Sequence, residues 1–389
     1  MTNAHEMHTV RTVQQLRTAV ASGSLRNTVI IGLDLTHEKI PDDLDLQGAV
    51  FLGCMFESLA DECGARARGA LIFSHFRDLP YDPYRGDLYT PDELMSGYCA
   101  GQKSSLDERI YQHFVEAGGH DPNIAEALAQ RIHDYSIDRA IKNLLGYDEK
   151  TAMPQRRAVG FMGGHAMRRD DPYYRQTAIL SRLVARAGYF VVSGGGPGIM
   201  EAANLGAYMS NEEESALDDA IKTLSRVPFF KMPDGGIDPG SIETSMEVLE
   251  RYPSGADSLS IPTWFYGHEP VNLFGRYVGK YFSNSIREDG LLAISIHGII
   301  YAPGGACTIQ EVFTDAAQNH YGTFDWMSPM IFLGTGHYLQ SQVYSCLTQQ
   351  AAGNVYAQLI TISDDVQKLL DFLRTHPPIP TANNPLVTG

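Results

Sequence analysis

From Arg157 onward the chain alternates short apolar runs, glycine turns and amphipathic stretches. "AVGFMGG" predicts a strand that ends in glycine, and "YYRQTAILSRLVARAG" a helix closed by Gly188. The pattern returns in "YFVVSGGGPGIMEAANLGAYM" and in "GIIYAPGGACTIQEVFTDAAQNHYG". "SPMIFLG" reads as a further strand, and "QLITISDDVQKLLDFL" as a strand and a helix. Short, continuous apolar strands belong in a parallel sheet covered by helices on both faces. Repeated βα units therefore predict an α/β fold with a doubly wound, mostly parallel Rossmann-like sheet. Residues 208–262 interrupt the rhythm with an acidic run, "NEEESALDD", and a Pro/Gly-rich loop, "MPDGGIDPG". They read as an insertion over one edge of the site.

The first 150 residues follow a different pattern. Val29 to Leu33 reads as a strand. Leu46, Phe51 and Phe56 fall five apart, faintly like the step of a right-handed β-coil, though three positions are too few to make a repeat. Residues 73–103, rich in Tyr, Pro, Asp and Gly, look like an ordered loop. "LDERIYQHFVEAG" and "DPNIAEALAQRIHDYSIDRAIKNLLGYD" have helical spacing. In the second, Asp121 reads as the N-cap with Pro122 at the first helical position. No charged, Cys/His or Ser/His constellation in this half carries obvious chemistry. The expected division is an accessory or regulatory domain of mixed type over 1–150 and a catalytic domain over 151–389.

Composition narrows the class. With 389 residues and 43% hydrophobic positions the chain can bury a sizeable core. The formal net charge of −16 argues against a sequence-independent grip on nucleic acid or an anionic membrane. Five cysteines, scattered and without a CxxC, point to a reducing compartment. The N-terminus lacks the apolar core of a signal peptide, and no run of about 18 apolar residues occurs. A cytoplasmic, soluble protein is the expectation.

Three glycine turns stand at the carboxyl ends of predicted strands: Gly163-Gly164, Gly194-Gly195-Gly196-Pro197-Gly198 and Gly304-Gly305. Ligands of open α/β sheets bind at that edge. Glycine lets backbone N–H groups approach an anion, and each following helix adds its positive end. Thr308 can add a hydroxyl, so the set suits a phosphate. "GGGPGIM" is not a GxGxxG in its usual place, and no GxxxxGK[ST] occurs, which disfavours a dehydrogenase or an ATPase. His165, His268, His297 and His320 have no metal-ligand spacing; His165, just after Gly164, is the best placed of them to touch a substrate. Cys307 stands at a helix start but lacks a base at motif level.

"SGGGPGIMEAANLGA", followed about a hundred residues later by "PGGACTIQE", resembles the LOG family, once mislabelled lysine decarboxylases. Its members are similar to nucleotide 5′-monophosphate phosphoribohydrolases. The family pattern GGG-x-x-G-[LIM]-M is matched from Gly194 to Met200. PGG-x-G-T-x-x-E is matched at Pro303, Gly304, Gly305, Thr308 and Glu311, with Cys307 where the family has glycine. The likeness covers roughly residues 155–375, and the longer, multi-domain members are the nearer comparison. It implies hydrolysis of the N-glycosidic bond of a nucleoside 5′-monophosphate, without cofactor or metal, in a homodimer or higher homo-oligomer.

In that reading Glu311 stabilises the developing ribosyl cation and can activate water. Gly163, Gly164, His165, Gly194, Gly195, Gly196, Gly198, Gly304, Gly305 and Thr308 bind substrate. The family's arginine before the PGG strand falls on Arg287, 16 residues ahead of Pro303, with Arg276 as the other candidate. The helices near 270–290 and 310–322 are expected at a dimer interface, "NLFGRYVGKYF" offering more apolar surface than one face needs. The alternative is a sensor of LOG-like fold that binds a nucleotide without cleaving it. A pyridoxal-phosphate decarboxylase is disfavoured because no lysine stands at a predicted strand end.

Overall fold

The computed structural model describes residues 8–73, 75–76, 78–148, 153–232 and 236–383. They pack as two units, one of residues up to Asp87 with Pro122–Ser136, the other of Leu88–Asp121 with Ile137 onward.

The smaller unit holds β1 (His8–Val10), β2 (Thr28–Ile31), β3 (Asp34–Leu35), β4 (Val50–Leu52), β5 (Met55–Phe56) and β6 (Leu71–Phe73). They form two parallel ladders, β1-β2-β4-β6 and β3-β5. Val29 faces Val50 and Val50 faces Leu71, so these rungs lie 21 residues apart, while Thr9 faces Val29 at a step of 20. Gly32 and Gly53 turn the chain at equivalent places with φ +64° and +63°, a conformation that side chains with a Cβ rarely adopt. Each donates its N–H to the next rung, Gly32 to Leu52 and Gly53 to Phe73. Leu46 and Phe51 are fully buried and Phe56 packs against them, as a coil requires, but the repeat length is 21 rather than five. The helices α1 (Val13–Ala21) and α2 (Leu59–Ala67) start at the caps Thr12 and Ser58.

The larger unit begins with α3 (Pro91–Leu94) and α4 (Leu106–Glu116); α5 (Ile124–Leu145) runs from the smaller unit into it. Its strands are β7 (Ala158–Met162), β8 (Phe190–Ser193), β9 (Leu259–Ser260), β10 (Tyr277–Val278), β11 (Ile299–Tyr301), β12 (Trp326–Met327), β13 (Met330–Leu333), β14 (Ile360–Ser363) and β15 (Ile379–Pro380). All but β12 and β15, which pair antiparallel with each other, join one parallel sheet in the order β10-β9-β8-β7-β11-β13-β14. Every residue of β7, β8, β11 and β13 is buried, which is why they read as unbroken apolar runs. The order runs outward from β7 in both directions, so the chain is a doubly wound α/β protein with its switch point between β7 and β11. The helices are α6 (Pro172–Arg186), α7 (Ile199–Tyr208), α8 (Glu214–Leu224), α9 (Pro239–Arg251), α10 (Asn284–Ile294), α11 (Ala306–Tyr321), α12 (Thr335–Gln340), α13 (Val343–Ala351) and α14 (Val366–Thr375). Leu180 and Val184 of α6, Ala203 and Ala207 of α7 and Leu369 and Leu373 of α14 share one core with the central strands. No helix among the described residues is long and apolar enough to cross a membrane.

Three expectations change. Packing divides the chain at Asp87 and around Pro122–Ser136 rather than at a single break near 150. The cause is that Tyr89 exchanges backbone hydrogen bonds with Val278, while buried Asp107 accepts from Trp264 and Lys280. The α5 cap is Asn123, whose side chain accepts from the N–H groups of Ala125 and Glu126, and not Asp121. "NLFGRYVGKYF" is not a helix: it passes through β10, and Leu273, Phe274 and Phe282 are buried inside the unit. Its apolar surface is therefore spent on the chain's own core, and an interface reading of this segment loses its basis.

Candidate functional site

At the switch point two glycine turns lie side by side, the Gly164 N–H donating to the Pro303 carbonyl at 3.0 Å. The Pro303–Gly305 turn feeds directly into α11. Gly305 is the N-cap, no side chain caps the helix, and residues 305–307 are exposed. The N–H groups of that first turn have no acceptor within the helix and carry its positive end. Beyond its two chain neighbours, no atom lies within 4 Å of where a Gly305 side chain would begin. Thr308 is buried, its side chain packed against Gly304. An anion can reach this turn from solvent.

The Gly194–Gly198 turn has the same composition and a different environment. All five residues are buried. A Cβ on Gly195 would lie 2.6 Å from Pro262 Cδ, and one on Gly196 would lie 2.7 Å from Met200 Cε and 2.9 Å from Glu269 Oε2. Gly198, at φ +69° and ψ −126°, presses against the carbonyls of Gly164 and His165. The first N–H of α7, from Ile199, already donates to Gly164 O at 3.2 Å. Glycine is required here because protein, rather than ligand, approaches the backbone.

Between these turns stands a charged cluster built by two helices. On α10, Asn284, Arg287, Glu288 and Leu291 share the buried face; on α11, Thr308, Glu311, Asp315 and Asn319 do. Arg287 Nη2 lies 3.8 Å from Glu311 Oε1 and 3.5 Å from Glu288 Oε1. Its Nε donates to Asn284 Oδ1 at 3.1 Å, and a Cβ on Gly194 would lie 3.2 Å from its Nη1. Gln310 Nε2 donates to Glu288 Oε2 at 2.9 Å. Burial pushes the Glu311 carboxyl up to about 7; Arg287 opposes that rise and Glu288 adds to it. One turn further on, burial also pushes Asp315 up to about 7, against the hydrogen bonds it accepts from Tyr301 and Ser328. Burial and the Glu311 and Glu288 carboxylates raise the Cys307 thiol, which disfavours a thiolate nucleophile.

Gly163, Gly164, Gly194, Gly304, Gly305, Thr308, Arg287 and Glu311 thus come together, with Gly195, Gly196 and Gly198 packed behind them. His165 is exposed just beyond Gly164. Arg276 is a surface residue facing Asp257, so Arg287 is the arginine of the cluster. His268 lies 3.2 Å from Asp107, and burial with Arg157 nearby pushes His297 down to about 4; neither enters the cluster. Glu288, Asn284, Asp315 and Tyr266 were not anticipated. Helical spacing from Arg287 and Glu311 could have found Asn284 and Asp315, three and four residues away, and Glu288 lies four beyond Asn284; Tyr266 had no local signal. The Asp/Glu-rich part of the insertion forms α8, which with α9 packs on α6 and α7 through Leu217, Leu224 and Val248. Arg169 ties this layer down with both Glu201 oxygens, Thr244, Ser245 and the Ser241 carbonyl.

No protein-family model matches the chain, and no curated protein matches it. Among solved structures, the molybdenum cofactor carrier protein from Chlamydomonas reinhardtii aligns with 57% of this chain and 100% of its own, at 14% identity and a TM-score of 0.35. A second structure of the Moco carrier protein from the same organism aligns over the same shares at 16% identity and a TM-score of 0.34. The molybdenum cofactor binding protein from the phototrophic bacterium Rippkaea orientalis aligns with 57% of this chain and 97% of its own, at 13% identity and a TM-score of 0.35. At that similarity the neighbours' ligand says nothing about this chain's.

Proposed function

We propose that the chain is a cytoplasmic phosphoribohydrolase that cleaves the N-glycosidic bond of nucleoside 5′-monophosphates. The observation that carries this reading is the buried Glu311 beside Arg287, one helical turn beyond an open, uncapped glycine turn. The 5′-phosphate sits on the N–H groups of Gly305 to Thr308, and its binding energy positions C1′ over Glu311. As the C1′–N bond breaks, its electron pair leaves with the base and positive charge grows on the ribose. Ionised Glu311 stabilises that charge and takes a proton from the water that adds to C1′. The base leaves as its anion or takes a proton from solvent, and Arg287 stabilises the charge it gathers. The products are free base and ribose 5-phosphate, and the step needs no cofactor. The motif likeness to the LOG family supports the same reading, and from it a homodimer is expected by light scattering at micromolar concentration. Free base is measured by chromatography after incubation with a panel of nucleoside monophosphates. Release from at least one of them, slowed about 10²-fold by Glu311→Gln, is the expected result. Tight binding with no release would instead favour a nucleotide sensor.

A further inference from the structure

Tyr266 is 58% exposed, unusual for a ring next to a buried charged cluster. Its stem is fixed. Trp264 is fully buried and donates to Asp107, Thr263 Oγ1 donates to the Tyr281 carbonyl and accepts from the Phe265 N–H, and Phe265 packs on His120 with ring centres 4.2 Å apart. Phe265 then meets Tyr266 edge-on at 5.1 Å. Directly after it Gly267 reverses the chain at φ +114°. The hydroxyl end is anchored as well: Asn284 Nδ2 donates to Tyr266 Oη at 2.9 Å, and the same Asn284 accepts from Arg287 Nε. The phenol is close enough to Glu288, Cys307, Arg287 and Glu311 to feel their charge, with burial as the larger influence raising it. A rigid aromatic ring is thus held by its hydroxyl at the mouth of the Arg287–Glu311 cluster while much of its surface remains open.

We propose that Tyr266 is the platform on which the nucleobase of the substrate stacks. This deepens the phosphoribohydrolase reading and rests on it. The phosphate turn and Glu311 can hold ribose 5-phosphate by themselves, so the base needs its own surface, and a planar apolar one serves any base. Stacking scales with overlap, so purine monophosphates gain more from it than pyrimidine ones. The Asn284 hydrogen bond sets the ring's position relative to Arg287, so that a stacked base also places its leaving nitrogen near that cation.

Calorimetric titration of the full chain with AMP, UMP and ribose 5-phosphate tests this, using wild type, Tyr266→Ala and Tyr266→Phe. Tyr266→Ala should weaken AMP about tenfold or more, UMP less, and ribose 5-phosphate not at all. Tyr266→Phe keeps the ring and should hold AMP within a few fold of wild type. If wild type binds both AMP and ribose 5-phosphate, and Tyr266→Ala binds AMP equally well, the platform alone is overturned. Equal weakening of all three ligands also overturns it, leaving Tyr266 a support for Asn284. If wild type binds neither AMP nor ribose 5-phosphate, the phosphoribohydrolase reading falls and takes the platform with it.

Discussion

The Gly194–Gly198 and Gly304–Gly305 turns share composition, position at a strand end and a following helix, yet they do opposite work. Around the first, Pro262, Met200, Glu269 and the Gly164 carbonyl occupy the space that side chains would need, and the leading N–H of α7 is already used. Around the second, Gly305 is open and α11 starts uncapped. Absence of a Cβ permits close approach; it does not say what approaches. The partners of the first turn come from 60 or more residues away in Pro262 and Glu269, so local sequence treats the two alike.

The comparison breaks most sharply where the packed side loses its charge pair. Arg169 and Glu201 are both buried, and Arg169→Leu leaves the Glu201 carboxylate with the Tyr174 hydroxyl as its one remaining side-chain hydrogen-bond donor among the described residues. A loss of about 3–5 kcal/mol is expected in denaturant unfolding. Gly198→Ala, which needs a conformation essentially reserved for glycine, should cost about 3 kcal/mol, whereas Gly305→Ala should leave stability within about 1 kcal/mol. Equal melting temperatures for these two alanine variants would erase the distinction between the turns.

The open side is sharpened by pH. Glu311 and Asp315 sit above their ordinary values of 4.5 and 3.8, so the folded chain keeps protons that the unfolded chain has released. Stability from this source is fully present below about pH 4 and is lost as the pH rises through about 7. For Glu311 the full swing is about 3 kcal/mol by order of magnitude. Glu311→Gln should flatten part of the fall in melting temperature between pH 5 and 8. Activity that needs the ionised carboxylate moves the other way and should rise through about pH 7. In the same variant kcat should fall about 10²-fold with little change in KM. The smallest effect is at Thr308: Thr308→Val should weaken phosphorylated substrates by about 1–2 kcal/mol in KM and leave kcat nearly intact.

The sheet was legible because burial on both faces writes itself as unbroken apolar runs, each followed by glycine and an amphipathic helix. Arg287 and Glu311 were legible through motif spacing. Glu288 shares the arginine's buried helix face, although a carboxylate next to an arginine has the look of an exposed pair, and Asp315 was hidden among ordinary helix residues. "NLFGRYVGKYF" misled because Leu273, Phe274 and Phe282 satisfy an apolar pattern without helical order; their burial comes from partners such as Tyr208 and Trp264. The division at Asp87 depends on a strand contact, Tyr89 with Val278, that no local pattern announces.

The 21-residue rung of the smaller unit makes its length an adjustable quantity. The inner strands β2 and β4 each pair with the rung before and the rung after, so adding or removing one whole rung between them keeps the same kind of ladder contact. An insertion of any other length would displace Gly32 or Gly53 from its turn and move the inward residues outward. Such a stack grows and shrinks in whole steps, frays from its end strands β1 and β6 toward the middle, and stores its stability as a sum of neighbour terms rather than in a single centre.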